Sequence, residues 1–279
     1  MKKLLFIMLS IVLTLSIVLA GCSGTEKPAD TGVGQQQSET QDSSWEEIKT
    51  KGKFIVGLDD TFAPMGFRDD KGELVGFDIE LAKEAAKRMG VEVEFKPIVW
   101  STAITELQNK NIDVIWNGLT ITDERKEKIA FTKPYMENKQ DLVVAVGSPI
   151  KSKKDLAGKI VGLQDGSSSE HALQKDEVTF KSIKEVKKYD SNDEVLMDLK
   201  AGRIDAAVID DVVVRYYIQK RAGEYEIVDE PFSAEEFGVG LRKSDVSFLN
   251  ELQKALDEMK EDGTSSKISQ EWFGEDVVK

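Results

Sequence analysis

The sequence predicts an α/β protein of two similar lobes, each built on a mostly parallel sheet and joined by a hinge that the chain crosses twice. Short β-rich apolar runs alternate with helical patterns along the chain, and this alternation is typical of parallel sheets flanked by helices. The pattern then starts again, because the stretch from Leu199 to Ala207 echoes the stretch from Leu107 to Ile115. Two further β-rich runs, at 141–146 and 236–241, are where we expect the crossings.

The first half of the chain begins with a predicted strand. Apolar residues at helical spacing then predict a helix over 77–89, which Gly90 ends. The strands predicted here lie at 54–58, 91–95 and 112–116. The two further predicted helices are one capped by Ser101 and one that begins at Asp123.

The second half repeats this order and ends in two long helices. Its predicted strands lie at 159–163, 182–189 and 204–209, and its predicted helices at 167–173, 192–200, 212–221, 248–260 and 265–272. These elements predict lobe 1 from residues 44–140 and 235–279, and lobe 2 from residues 141–234. No segment rich in Pro and Gly marks either crossing.

The N-terminus has the composition of an export signal. Two lysines precede a nearly continuous apolar run over 4–18, which is short for a membrane span of about 20 residues and typical of a signal peptide. A transmembrane anchor is the alternative. The motif Leu19-Ala20-Gly21-Cys22 resembles the bacterial lipobox, which implies removal of residues 1–21 and attachment of lipid, such as palmitate, to Cys22. Residues 22–43 lack apolar periodicity, so we expect a flexible tether.

Composition excludes several classes of function. The net charge of −13 argues against nucleic acid, whose phosphates bind basic patches. One Cys and one His provide neither an internal disulfide nor a Cys- or His-rich metal site, and we expect no metal and no cofactor. His171 could serve a Ser-His-Asp triad, although a lone histidine in a charged stretch is more often a surface residue.

Four candidate binding segments follow predicted strand ends, where open α/β sheets place ligands. In the first, Thr120 offers a hydroxyl and a backbone N–H, and Arg125 offers two parallel hydrogen bonds to a carboxylate. In the second, Gln164 precedes Ser167 and Ser168, and free N–H groups at a helix start suit a carboxylate. The alternatives are an ordinary surface arginine and a simple helix-capping cluster.

The third candidate is Asp210, at the end of the strand 204–209, where an acid can meet an ammonium group. Its alternative is a cap for the following helix. The fourth comprises Asp59 and Phe62 after the first strand, with Trp100 near a later one. Aromatic faces there could clamp a ligand, although single aromatics usually belong to a core.

The order of these segments resembles that of the amino-acid-binding solute receptors of bacterial ABC importers, in the branch for polar and basic amino acids. Gly76-Phe77-Asp78-Ile79-Glu80-Leu81-Ala82 is similar to that family's signature, and the segment from Thr120 to Arg125 to its arginine motif. Ala201 to Ala207 with Asp210 is similar to its second-lobe motif. The resemblance implies the type II periplasmic-binding-protein fold from about residue 45 onward. It also implies an ABC permease as partner, and we expect a monomer.

The resemblance assigns the head group of an amino-acid ligand to five residues. Arg125, the Thr120 backbone and Ser168 hold the carboxylate. Asp210, Thr120 and the Gly118 carbonyl hold the ammonium group. These assignments agree with the chemistry that the residues offer by themselves.

The resemblance places the ligand's side chain among Asp59, Phe62, Trp100 and Gln164. A carboxylate at Asp59 suits a donor and repels acidic ligands, so we expect arginine or lysine first, cystine second and glutamine third. Asn117, Gln164 and Ser169 occupy positions that vary within the family, which leaves the identity of the ligand open. A dehydratase using Asp59 and Asp210, or a sensory module, are the alternatives to a transport receptor.

Overall fold

The computed structural model describes residues 42–279. The predicted signal peptide, the lipid attachment at Cys22 and all but the last two residues of the predicted tether at 22–43 lie outside the described residues. Within the described range, no helix is long and apolar enough to cross a membrane.

Helices and strands alternate along most of the described chain. The strands are β1 (Lys53–Leu58), β2 (Thr61–Phe62), β3 (Gly66–Arg68), β4 (Leu74–Val75), β5 (Glu92–Pro97), β6 (Val114–Ile115), β7 (Ala130–Phe131), β8 (Met136–Ala145), β9 (Ile160–Gln164), β10 (Glu185–Tyr189), β11 (Ala206–Asp210), β12 (Tyr225–Phe237) and β13 (Gly240–Leu241). The α-helices are α1 (Ser44–Lys51), α2 (Phe77–Met89), α3 (Ala103–Gln108), α4 (Asp123–Lys128), α5 (Ser168–Lys175), α6 (Glu177–Ser182), α7 (Asn192–Lys200), α8 (Asp211–Lys220), α9 (Val246–Glu261) and α10 (Thr264–Phe273).

Two five-stranded sheets of the same topology define the two lobes. Lobe 1 has the order β5-β1-β6-β13-β7 and lobe 2 the order β10-β9-β11-β8-β12. Within residues 42–279, one strand of each sheet, β13 or β8, runs against the other four. Each reversed strand is the first that the chain adds after passing from one sheet to the other. The predicted fold class, two similar lobes with mostly parallel sheets, is confirmed.

The hinge consists of β8 and β12, which pair antiparallel with each other. The pairing is interrupted by an irregularity in β12 between Val228 and Ser233, where the register shifts, and it continues on both sides of that segment. Both strands begin earlier than the predicted runs at 141–146 and 236–241. The lobe boundaries predicted next to residues 140 and 235 fall inside these strands and stay predictions.

Local sequence explains the elements that were predicted well. In α2, Ile79, Ala82 and Ala86 are buried on one face, and Gly90 takes the left-handed conformation that ends the helix. The predicted cap at Ser101 is wrong, since Ser101 lies inside a 3₁₀ turn, Trp100–Thr102, that precedes α3.

Candidate ligand-binding site

The predicted binding residues lie where the two lobes face each other, at the carboxyl ends of the strands. Asp59 follows β1 and Asn117 follows β6, while Gln164 and Asp210 are the last residues of β9 and β11. Because parallel strands end at one edge of a sheet, four segments far apart in sequence converge there.

The two lobes contact each other directly across the site. The Gln164 amide donates to the Asp59 carboxylate over 2.7 Å, and the Thr120 hydroxyl lies 3.0 Å from that of Ser168. A Cβ atom on Gly166 would lie 2.7 Å from the Ser101 backbone nitrogen. The site is therefore built jointly by both lobes.

Arg125 lies at the lobe 1 side of the site. Its guanidinium donates to the Thr120 carbonyl over 2.9 Å and lies 5.9 Å from the centre of the Trp100 ring. Burial lowers the pKa of Arg125, while the Glu235 and Asp210 carboxylates act in the opposite direction. A half-buried cation facing two acids of the site is not an ordinary surface arginine.

The start of α5 faces Arg125 from lobe 2. Ser167 is the helix cap, since its hydroxyl accepts from the Glu170 N–H and donates to the Gln164 carbonyl. Ser168 instead turns its hydroxyl toward Thr120, 3.0 Å away. The capping alternative therefore describes Ser167, whereas Ser168 is directed into the site.

Asp210 supplies a buried acid opposite Arg125. Its side chain makes no capping bond to α8, so the helix-cap alternative is wrong. Its carboxylate instead accepts from the amides of Asn138 at 2.8 Å and Gln140 at 2.7 Å. Burial, followed by the nearby Glu235 carboxylate, raises the pKa of Asp210 to about 7.

Asp59 has protein partners on both carboxylate oxygens. One oxygen accepts from the Thr61 N–H at 2.9 Å and the Thr61 hydroxyl at 2.6 Å, and the other accepts from Gln164. One oxygen of Asp59 therefore caps its own loop through Thr61, while the other links lobe 1 to lobe 2 through Gln164. Gln164 also donates to the Asp190 carbonyl over 2.8 Å.

Aromatic side chains form a wall between the two ends of the site. Phe62 and Trp100 pack edge to face, with ring centres 6.3 Å apart. Two cavities of about 600 and 570 Å³ are each lined by residues of both lobes, the first including Asp59 and Gln164 and the second Arg125 and Ser167. Within residues 42–279, no group of three or more His, Cys, Asp and Glu side chains is placed to hold a metal ion.

Residues 54–275 match the bacterial extracellular solute-binding proteins, family 3. The chain belongs to this family. The predicted resemblance is confirmed, and so, at the level of the family, is a location outside the cytoplasm.

Individual relatives and solved structures agree with this assignment. The chain is 37% identical over 235 residues to the L-cystine-binding protein TcyJ of Escherichia coli K12, covering 84% of this chain and 87% of the relative. It is 37% identical over 226 residues to the lysine/arginine/ornithine-binding periplasmic protein of the same organism, covering 78% of this chain and 86% of the relative.

A histidine-bound ABC substrate-binding protein from Streptococcus pneumoniae superposes with a TM-score of 0.81 at 38% identity, covering 86% of this chain and 99% of that one. An ancestral arginine-binding protein bound to arginine gives 0.75 at 47% identity, covering 80% and 99%. These relatives are binding proteins, so the prediction that this solute-binding protein is not an enzyme is confirmed.

The family signature residue Asp78 supports the site without facing it. Its carboxylate accepts from the Gly118 N–H at 2.7 Å and from the Tyr135 hydroxyl at 2.9 Å. Burial raises the pKa of Asp78 to about 7 against the effect of these hydrogen bonds. Gly118 has a φ of +57°, and a Cβ atom there would lie 3.0 Å from the Phe62 ring. Asp78 therefore fixes the loop that carries Gly118 and Thr120.

Sequence reasoning missed three site residues of this solute-binding protein, all on the hinge strands. Asn138 and Gln140 on β8 donate to Asp210, and Glu235 on β12 accepts from the Thr120 hydroxyl at 2.9 Å. Asn138 and Gln140 are polar residues two apart in a strand, which places both on one face. That spacing, beside the apolar run Leu142–Val144, is the sequence signal that could have found them.

Proposed function

We propose that this protein is a receptor that binds a polar α-amino acid outside the cytoplasm and delivers it to an ABC permease. The observation that carries the proposal is that the Arg125 guanidinium of lobe 1 and the buried Asp210 carboxylate of lobe 2 both lie at the Thr120–Ser168 contact, close enough for the charge of Asp210 to act on Arg125. A guanidinium suits an α-carboxylate and a buried carboxylate suits an α-ammonium group. These opposite charges match the head group that all α-amino acids share.

The proposed ligand is arginine or lysine first, cystine second and glutamine third, with acidic amino acids last. The Asp59 carboxylate suits a hydrogen-bond donor on the ligand's side chain. In this structure the Gln164 amide donates to that carboxylate over 2.7 Å. Trp100 already lies under one guanidinium, that of Arg125, which supports an aromatic wall for a cationic ligand. The names of the relatives include cystine, lysine and arginine, three of the ligands in this ranking.

A thermal-shift screen tests the proposal, using the twenty amino acids, cystine and ornithine. A ligand present at about 100 times its dissociation constant stabilises a protein by about 2.7 kcal/mol, which raises the melting temperature by roughly 5–10 °C for a domain of this size. We expect the largest shifts from arginine or lysine. The absence of a shift with every compound would refute the proposal. A shift with glutamate but none with arginine, lysine, cystine or glutamine would refute the role of Asp59.

Delivery to a permease separates the transport receptor from a sensory module. We expect cells that lack this protein to lose uptake of the amino acid found in the screen, measured with a radiolabelled ligand at concentrations near the dissociation constant. Uptake that persists unchanged, together with altered gene expression in response to the ligand, would favour the sensory alternative.

A further inference from the structure

The floor of the site is formed by the two strands of the hinge. Asn138 and Gln140 extend from β8, and Glu235 on the antiparallel β12 is the direct cross-strand partner of Asn138. The three side chains meet, since the Glu235 carboxylate accepts from the Gln140 amide at 3.0 Å and from that of Asn138 at 3.5 Å. Glu235 is thereby held by the two hinge strands together with the Thr120 hydroxyl of lobe 1, which donates to it over 2.9 Å.

Two carboxylates share the same neutral donors on this floor. The Gln140 amide nitrogen donates to Asp210 at 2.7 Å and to Glu235 at 3.0 Å, so the two acids lie close together. Burial and the proximity of Glu235 raise the pKa of Asp210 to about 7. Amides satisfy hydrogen bonds but do not neutralise charge, and Arg125 is a cation shared between both acids. This geometry favours a second cation.

The same floor offers a further hydrogen-bond acceptor. The side-chain oxygen of Asn138 is buried and has no hydrogen-bond partner within the described residues. An ammonium group carries three N–H donors and no acceptor. Asp210, Glu235 and the Asn138 oxygen provide three acceptors on these neighbouring residues, which equals the number of donors of an ammonium group.

We propose that Glu235 is a specificity-determining residue that accepts a hydrogen bond from the ligand's α-ammonium group alongside Asp210. The inference rests on the proposed function, because it assigns a part of the ligand to a part of the same site. Under this proposal the hinge strand β12 contacts the ligand directly through Glu235. The receptor then discriminates strongly against compounds that lack the amino group.

The chain offers a matched control for the test. Glu236 is the next residue on β12, and its side chain pairs with Lys279, away from the network around Asp210. E235Q and E236Q therefore remove the same charge from the same strand, and only E235Q changes the site. Melting curves of both variants establish that each is folded.

The probe is the amino acid that the wild type binds most tightly in the screen, compared by calorimetry with its des-amino analogue. For arginine the analogue is 5-guanidinopentanoate. We expect E235Q to weaken binding of the amino acid by about tenfold or more, to leave the analogue unchanged or bound more tightly, and to leave E236Q like the wild type. This double comparison isolates the coupling between Glu235 and the amino group.

The pH profile reports the charge of Glu235 beside Asp210, which a role limited to holding the hinge strands together would not require. The charged groups around Asp210 are Glu235 from β12 and Arg125 from α4, with the amides of Asn138 and Gln140 from β8. Removing the Glu235 charge lets Asp210 ionise at lower pH. In E235Q the pH below which affinity falls should therefore be lower than in the wild type.

Each outcome decides the inference. Equal loss of affinity for the amino acid and its analogue would contradict contact with the amino group, and an unchanged pH profile would contradict the charge coupling between Glu235 and Asp210 on which the proposal rests. Tighter binding of the amino acid by E235Q would mean that Glu235 competes with the ligand's carboxylate for Arg125, which overturns the proposal. If the wild type binds no amino acid, the proposed function fails, whereas binding by E235Q that equals that by E236Q refutes this inference alone.

Discussion

Replacing Arg125 by alanine tests the charge pairing on which the receptor proposal depends. The guanidinium donates to the Thr120 carbonyl at 2.9 Å and is half-buried between the lobes. It is therefore desolvated and already oriented before it meets a carboxylate. Truncating one partner of such a buried, hydrogen-bonded charge pair costs about 2–5 kcal/mol, which corresponds to a loss of affinity of roughly 30-fold to several thousand-fold.

The same substitution should affect folding far less than binding. The variant loses one hydrogen bond, worth about 1 kcal/mol, and the contact with Trp100, worth about 0.5–1 kcal/mol. The helix cap is preserved, because Thr122 accepts from the backbone N–H of residue 125 rather than from its side chain. We therefore expect a drop in melting temperature of only a few degrees.

Calorimetric titration with the amino acid found in the screen measures the effect. Arg125→Lys retains the charge but not the planar fork, so it should recover part of the affinity. Arg203→Ala is the control, because Arg203 pairs with Asp198 on the surface with its side chain 60% exposed and should bind like the wild type. Near-native affinity in a folded Arg125→Ala variant would return Arg125 to the class of ordinary surface arginines.

Four further predictions concern pH, stability, closure and anchoring. If the ligand's ammonium group binds ionised Asp210 as proposed, affinity should fall about tenfold per pH unit below 7, because the pKa of Asp210 is about 7; constant affinity from pH 5 to 8 would contradict this. The pKa of Asp78 is also about 7 in the folded state, above its unfolded value, so its contribution to stability is full below about pH 4 and is lost as pH rises through 7. Asp78→Asn should therefore gain stability over the wild type by about 1.4 kcal/mol per pH unit across that window in urea titrations, and a constant difference would count against it. Gly166→Ala, whose added Cβ would lie 2.7 Å from the Ser101 nitrogen, should weaken binding and enlarge the radius of gyration of the ligand-saturated protein in small-angle scattering; wild-type values would show that the lobes tolerate the methyl group. Cys22→Ala should abolish metabolic labelling with a fatty acid, and label persisting on the variant would exclude Cys22 as the attachment site.

Local sequence determined the elements whose signals are local. The helices at 77–89 and 192–200 have the predicted bounds, because apolar spacing and end residues act within a few turns. Other elements could not be predicted from local sequence. The helix α6 was not predicted, and its Val178 and Phe180 are exposed, so its apolar residues give no buried face. The two-residue strands β2 and β4 exist only through pairing with β3.

The sequence by itself also determined which polar segments follow the strands, and through its motifs the family and the fold. It left undecided whether each polar side chain caps its own helix or faces the other lobe. Tertiary structure decided that Ser167 caps while Ser168 and Asp210 face the site, and that Gln164 bridges to Asp59. It also brought Glu235 against Gln140, 95 residues away in sequence. The physical reason is that a hydrogen-bond donor or acceptor has many local partners, and only the packing of the two lobes around the paired hinge strands selects among them.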